Sequence, residues 1–178
     1  MTKEQFNEYI KPFVVLVCIC LVVSFLLAFT NSRTEPIIEE NARIEAERTR
    51  REVLAGAEDF TQLLVDADAL GIRSAYRENA GLGYVVTAAY KGYGGEVVVT
   101  VGLNNDGEIV GLSANVGTET TGIGSRAGQS DYTGRFIGLT GSADGVDTIS
   151  GATYSSSAVR FGVNAALAAF DTIKEAKG

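Results

Sequence analysis

The sequence predicts an α+β protein in which a single N-terminal transmembrane helix precedes a small antiparallel-sheet domain with flanking helices. Three observations lead to this prediction. An unbroken apolar run occupies residues 13–29. Apolar and β-branched residues then form short strand-like stretches separated by turn sequences between residues 84 and 115. Finally, residues 155–176 place their apolar side chains at helical spacing.

The predicted transmembrane helix covers residues 13–30. Up to Phe29 this run has no charged side chain, and its length lies at the short end of the roughly 17–25 residues that span a bilayer. A cleaved signal peptide is the alternative, but Glu4 and Glu8 accompany the N-terminal lysines and residues 27–31 make a poor cleavage site. We therefore expect an uncleaved anchor in the lipid bilayer. The lysine and arginine counts on its two flanks leave the side of the following domain open.

Residues 31–57 are predicted to form a helical stalk. They are rich in Glu, Arg and Ala, and pairs such as Glu39 and Arg43 lie four residues apart in the order that stabilises a helix. A partner-binding face is the alternative role for this helix. Residues 58–80 have too weak a pattern for any element to be predicted.

The remaining domain, residues 58–178, contains three predicted strands. The first covers residues 84–90. Residues 96–103 and 108–115 flank the turn sequence Asn-Asn-Asp-Gly, which is typical of a β-hairpin. The glycine-rich residues 117–145 are expected to form loops.

The composition excludes several classes of protein. Fifteen Lys and Arg against 22 Asp and Glu give a net charge of −7, so nucleic-acid binding, which needs a basic surface, is not expected. The chain has no histidine, which excludes histidine-based triads and histidine metal sites. Cys18 and Cys20 lie inside the apolar run and are expected to face lipid or a neighbouring helix. No catalytic residue and no metal ligand is predicted.

The most informative stretch is residues 147–157, which immediately precede the predicted final helix. Serine and threonine are good helix N-caps and Gly151 permits a turn, so a simple helix start is one interpretation. The other interpretation is an anion site, because the first N–H groups of a helix have no intrahelical partner. A phosphate near Thr153 or Ser155 would then be stabilised.

The motif formed by Asp147, Ser150, Gly151, Ala152 and Thr153 resembles the flavinylation motif Asp-x-x-Ser-Gly-Ala-Thr. That motif belongs to the FMN-binding domain shared by the G subunit of the Rnf electron-transport complex and the C subunit of the sodium-pumping NADH:quinone reductase. In that family a flavin transferase joins FMN, through its phosphate, to the last threonine. The resemblance therefore implies covalent FMN on Thr153, with the other four residues as the recognition sequence for the transferase.

Two further blocks resemble the same family. Residues 91–95, Lys-Gly-Tyr-Gly-Gly, and the hairpin after them resemble its strand-and-hairpin block. Residues 119–124, Glu-Thr-Thr-Gly-Ile-Gly, resemble its Glu-Thr-Pro-Gly-Leu-Gly loop, which lies against the flavin. The sequence departs from the family at Thr121, where proline is common, and at Gly117, where histidine is common. These departures concern the flavin pocket and not the attachment.

Aromatic and basic residues supply the remaining candidates. Tyr93 and Tyr154 are the favoured stacking partners for an isoalloxazine ring, because they lie beside glycines or beside the attachment site. Arg126 and Arg135 are candidate phosphate partners, with a solvated role as the alternative. The other tyrosines considered, which are expected to be core or strand aromatics, are Tyr84, Tyr90 and Tyr132. The predicted cofactor-binding residues are Tyr93, Glu119, Thr120, Gly122, Ile123, Gly124, Asp147, Ser150, Gly151, Ala152, Thr153, Tyr154 and Ser155.

The resemblance implies a flavoprotein subunit that relays electrons and catalyses no reaction alone. Its short length favours the G subunit of an Rnf-type complex, which couples ferredoxin oxidation and NAD reduction to ion movement. The implied partners are the other membrane and redox subunits, with residues 1–12 in the cytoplasm and the FMN domain outside it. The alternatives are a C-type subunit of the sodium-pumping reductase, another extracytoplasmic flavin-based electron carrier, or a non-redox membrane-tethered binding module.

Overall fold

The computed structural model describes residues 10–64 and 71–175. The chain forms two compact units, Met1–Ala46 and Glu47–Gly178. Helix α1 spans Lys11–Val53, so the predicted transmembrane segment and most of the predicted stalk lie in one helix. Most of the predicted N-terminal segment, residues 1–9, lies outside the described residues, as does the last residue of the predicted final helix.

The first unit contains the apolar part of α1. Its side chains from Phe13 to Phe29 are exposed in the chain by itself, and lipid is the environment that suits so continuous an apolar surface. Among the described residues, α1 is the one helix long and apolar enough to cross a membrane. Beyond this run, Arg43 forms an ion pair with Glu40 at 2.9 Å.

The second unit is built on one antiparallel sheet, in which the described residues form five strands in the order β1-β2-β3-β4-β5. The predicted strands at residues 84–90, 96–103 and 108–115 are confirmed as the last three. The first two strands lie on either side of residues 65–70 and were not predicted, because no element was assigned to residues 58–80. The strands are β1 Phe60–Leu63, β2 Ile72–Glu78, β3 Tyr84–Lys91, β4 Glu96–Leu103 and β5 Ile109–Asn115.

The turn between β4 and β5 is the hairpin that the sequence predicts. The Asn104 side-chain oxygen accepts hydrogen bonds from the N–H groups of Asp106 and Glu108, at 2.9 and 3.0 Å. Gly107 has a φ of +82°, and a Cβ there would lie 2.6 Å from the Phe170 ring. Both the conformation and the close approach therefore require glycine at this position.

Helix α3, Thr153–Glu175, covers one face of the sheet. It begins two residues before the predicted start at residue 155. Gly162 lets the helix lie close to β4, because a Cβ at this position would be 2.8 Å from Val99. The side chains of α3 that are buried in the main core are Ala158, Val159, Val163, Ala165, Ala166, Leu167, Ala169 and Phe170.

The region predicted as loops, residues 117–145, contains short helices in the structure. Helix α2 is Ser130–Thr133, and single 3₁₀ turns form at Gly124–Gly128 and Gly134–Phe136. Tyr132 and Phe136 pack edge to face, with ring centroids 5.3 Å apart, and are buried in the core. Because this region is rich in glycine, the sequence pattern predicted loops and did not indicate that these two aromatic side chains are buried.

The end of α1 packs on the opposite face of the sheet. The Val53 carbonyl oxygen would lie 2.1 Å from a Cβ at either Gly102 or Gly111, which are paired on β4 and β5. The Arg50 guanidinium lies 4.2 Å from the centre of the Tyr76 ring. The end of α1 therefore packs directly against the backbone of two paired glycines.

We expect Gly102→Ala to destabilise the second unit by about 1–3 kcal/mol, because the added methyl group would displace the backbone of α1. The matched control is Gly145→Ala, where a Cβ meets no atom within 4 Å. The free energy of unfolding of both variants is measured by denaturant titration of the full chain in detergent. Equal values for the two variants would contradict the tight packing at Gly102.

Candidate flavin site

A cavity of about 430 Å³ opens where α3 begins. Its volume lies in the range of about 300–1,000 Å³ that is usual for small-molecule sites. Three segments form its walls: the turn between β3 and β4, the loop after β5 and the first turn of α3. Its lining residues all belong to the predicted set and are Tyr93, Glu119, Thr120, Ile123, Gly124, Gly151, Ala152, Thr153, Tyr154 and Ser155.

Glu119 connects the three walls of the cavity. Its carboxylate is 6% exposed and accepts hydrogen bonds from the N–H groups of Tyr93 and Gly94, at 3.3 and 3.1 Å. The Ser155 hydroxyl, on the first turn of α3, donates a further short hydrogen bond to it. Burial by itself raises the pKa of Glu119, but the hydrogen bonds from Ser155 and from the β3–β4 turn outweigh it and hold the pKa below its ordinary value. Glu119 is therefore ionised at neutral pH.

Glycines make these contacts possible. A Cβ at Gly92 would lie 2.3 Å from the Glu119 carboxylate, and one at Gly124 would lie 2.7 Å from the Ser155 hydroxyl oxygen. Gly94 lies close to the Thr118 carbonyl oxygen, which would be 2.1 Å from an added Cβ. The glycine-rich blocks therefore keep the space in which the carboxylate and its donors meet.

A tight turn leads into α3. Gly151 has a φ of +82°, and the Ala152 N–H donates to the Ile149 carbonyl at 2.9 Å. The buried Ser156 hydroxyl accepts a hydrogen bond from the Ile149 N–H at 3.1 Å. Ser156 was not among the predicted residues, because its contact with Ile149 joins positions seven residues apart that meet only once the turn has folded.

Thr153 is the first residue of α3 and is exposed at the cavity. Among the described residues its hydroxyl has no hydrogen-bond partner, so it does not cap the helix. The N–H groups of the first turn, from Thr153 to Ser155, have no intrahelical acceptor. A free hydroxyl beside unpaired N–H groups suits a phosphate in this position.

The five candidate tyrosines separate into two groups. Tyr93 and Tyr154 are 74% and 71% exposed, and their ring centroids lie 6.5 Å apart at the cavity. Tyr84 and Tyr132 are core residues, and Tyr90 packs against Phe161. The Tyr132 hydroxyl donates to the Ser156 carbonyl at 3.2 Å, and burial raises the pKa of this tyrosine. The two exposed rings are thus the ones placed to contact a ligand.

Three predicted residues do not line this cavity. Gly122, with a φ of +79°, forms a turn in which its N–H donates to the Ser125 hydroxyl at 2.8 Å. Ser150 is exposed in the turn before α3. Asp147 is also exposed and lines a second cavity of about 390 Å³.

Neither candidate arginine lines the cavity that contains Thr153. Arg126 is exposed on the 3₁₀ turn after the Glu119 loop. Arg135 lines the second cavity together with Asp147, and its guanidinium lies 5.6 Å from the centre of the Tyr132 ring. The structure therefore supplies backbone N–H groups, and not these arginines, where a phosphate on Thr153 would lie.

Comparison with known proteins defines the class of this site. The sequence model of the FMN-binding domain family matches residues 92–168, which include every residue that lines the cavity. The free Thr153 hydroxyl, the unpaired first-turn N–H groups and the two exposed tyrosines suit the phosphate and ring of FMN. The protein is a membrane flavoprotein with an FMN-binding domain.

Relatives define the family. The chain is 30% identical to the G subunit of the ion-translocating oxidoreductase complex of Methanosarcina acetivorans, over 97% of this chain and 98% of the relative. It is 28% identical to the G subunit of the Na⁺-translocating ferredoxin:NAD⁺ oxidoreductase complex of Acetobacterium woodii, over 98% and 99%. The G subunit of the proton-translocating complex of Clostridium ljungdahlii is 26% identical, over 83% and 84%. The chain belongs to the family of G subunits of ion-translocating oxidoreductase complexes.

When the pH is lowered, we expect the free energy of unfolding of Glu119→Gln to decrease less than that of wild type. The pKa of Glu119 in the folded protein lies below the ordinary value of 4.5, so its charge stabilises the fold above that pH. This contribution is lost as the pH falls through the folded pKa, and the glutamine variant lacks it. The free energy of unfolding is measured between pH 7 and pH values below 4.5. The exposed Glu58→Gln serves as control, and an equal pH dependence of Glu119→Gln and wild type would contradict the expectation.

Proposed function

We propose that this chain carries FMN as a phosphoester on Thr153 and relays electrons within an ion-translocating ferredoxin:NAD oxidoreductase complex. The observation that carries the proposal is the position of Thr153. Its hydroxyl is exposed and unpartnered among the described residues, and it lies at the cavity matched by the FMN-binding family. It is also the last residue of the sequence that resembles the flavinylation motif.

The residues at the start of α3 would hold the phosphate. In the attachment step the Thr153 oxygen would displace the leaving group from an activated flavin phosphate held by the transferase. One P–O bond forms and one breaks, the leaving group takes up the hydroxyl proton, and the first-turn N–H groups stabilise the remaining phosphate charge. Gly151 leaves this turn open, because no atom lies within 4 Å of a Cβ built there. A transferase therefore has room to reach the hydroxyl.

The other walls would position the ring. Tyr93 and Tyr154 present exposed aromatic faces, and Glu119 fixes the turn that carries one of them to the helix that carries the other. When bound, FMN accepts and donates electrons, while the protein sets its position and the polarity around it. The chain acts in this proposal as a carrier and not as an enzyme by itself.

The partners follow from the relatives. The complexes of A. woodii and C. ljungdahlii are named ferredoxin:NAD⁺ oxidoreductases, and their names differ in the ion, sodium in one and protons in the other. We extend the ferredoxin:NAD chemistry to this chain and assign no ion. Its partners are then the other membrane and redox subunits, and a flavin transferase during maturation.

The proposed topology places residues 1–12 in the cytoplasm, residues 13–30 in the membrane, and the stalk 31–57 and FMN domain 58–178 outside the cytoplasm. Covalent attachment supports this side, because a dissociable cofactor would be lost by dilution into an external compartment. The exposed apolar surface of α1 supports the membrane segment.

Thr153→Ala is expected to abolish covalent flavin. The full chain is co-expressed with a flavin transferase, and wild type should gain the mass of one FMN minus one water in intact-mass spectrometry. Thr172→Ala, an exposed threonine on the same helix, is the matched control and should retain the added mass. Flavin retained on Thr153→Ala, or absent from wild type with an active transferase, would refute the attachment site.

The topology is tested with vesicles of known orientation. Protease added to right-side-out vesicles should remove the fluorescent flavin-bearing domain, whereas inside-out vesicles should protect it. A luminal marker protein verifies that each vesicle preparation is sealed. Protection in right-side-out vesicles would place the domain in the cytoplasm and contradict the proposal.

A further inference from the structure

Glu119 carries an uncompensated charge in the wall of the cavity. Within residues 10–64 and 71–175, two acidic side chains are buried, Glu78 and Glu119. Glu78 accepts the Leu82 N–H at the end of β2 and does not line the cavity. Glu119 is therefore the buried acid that a ligand in the cavity would meet.

The donors that satisfy Glu119 are neutral. They are two backbone N–H groups and the Ser155 hydroxyl. In the described part of the chain, Glu119 forms no ion pair, and no lysine or arginine lines the cavity. Hydrogen bonds from neutral groups stabilise the carboxylate but leave its full negative charge in place.

We propose that Glu119 lowers the reduction potential of the flavin by keeping a fixed negative charge in the wall of its cavity. The inference rests on the proposed function in one respect, that FMN occupies this cavity. An electron that enters the flavin without a proton adds one negative charge beside the carboxylate. Repulsion between the two charges favours the oxidised flavin, and a charge near the ring is a recognised way in which proteins adjust flavins.

The size of the effect follows from Coulomb's law. At an effective dielectric constant of about 20, two like charges change an equilibrium tenfold at separations of up to about 12 Å. Glu119 lines the cavity, so a flavin ring that contacts this wall lies within that distance. We therefore expect removal of the charge to shift the reduction equilibrium at least tenfold, which is about 59 mV for a one-electron couple.

The test is a redox titration of the flavin-loaded full chain in detergent. Glu119→Gln should raise the midpoint potential of the one-electron couple by at least about 59 mV relative to wild type. Ser155→Ala, which removes a hydrogen bond and keeps the charge, should shift the potential by less than half as much. Glu119→Asp keeps the charge and should restore a potential close to that of wild type.

The possible outcomes distinguish an effect of the Glu119 charge from an effect of lost hydrogen bonding. They also distinguish failure of this inference from failure of the proposed function. Equal shifts in Glu119→Gln and Ser155→Ala, or no shift in a loaded Glu119→Gln, would overturn the inference while leaving the flavin in place. Absence of the flavin absorption band from wild type would instead overturn the proposed function.

If Glu119→Gln takes up no flavin, a second pair of variants tests whether charge in the cavity wall changes the midpoint potential. Thr120→Lys adds a positive charge in the cavity wall next to Glu119, and Thr121→Lys adds the same charge one residue away, outside the lining. The Thr120 variant should raise the midpoint potential more than the Thr121 variant. Equal effects would show that the potential does not depend on charge within the cavity.

Discussion

The hydrogen bonds to the Glu119 carboxylate are the constraint on which the site depends. A buried carboxylate without an ion pair is costly unless its oxygens are satisfied, so its donors must stay in place. These donors come from the β3–β4 turn and from the first turn of α3, which are distant in sequence. The position of Thr153, two residues before Ser155, is fixed by the same contact. The absence of side chains at Gly92 and Gly124 gives the carboxylate the room it needs.

The core determines where this contact can form. Helix α3 lies close along the sheet because Gly162 allows it to approach Val99, and its other end packs where Phe170 meets Gly107 at the β4–β5 turn. With both points fixed, the first turn of α3 reaches the opposite end of the sheet, beside the turn between β3 and β4. Packing of apolar side chains therefore positions the site, and the polar contacts refine it.

The sequence predicted the parts of this protein whose signals are local. The β4–β5 hairpin and α3 were confirmed, because turn chemistry and helical spacing are encoded in neighbouring residues. Strands β1 and β2 were missed because they contain few apolar residues, and the short helices that bury Tyr132 and Phe136 were hidden among glycines. The resemblance named most of the residues that line the cavity, and the reasoning from the helix start and the aromatic residues added Tyr154 and Ser155. Neither predicted the contact between Glu119 and Ser155, or the second cavity beside Asp147, because both depend on residues brought together only by folding.

An electron carrier must hold its cofactor firmly and also leave the cofactor accessible to a redox partner. The shape of this cavity affects both. Tight non-covalent binding needs most of a ligand's surface to be buried, whereas electron exchange with a partner needs an edge of the ring to be accessible. The rings of Tyr93 and Tyr154 are largely exposed, so the cavity offers contact without enclosure. A phosphoester on Thr153 would hold the cofactor independently of the buried area. The walls are then free to adjust the potential, which is the role inferred for Glu119, and need not supply the affinity.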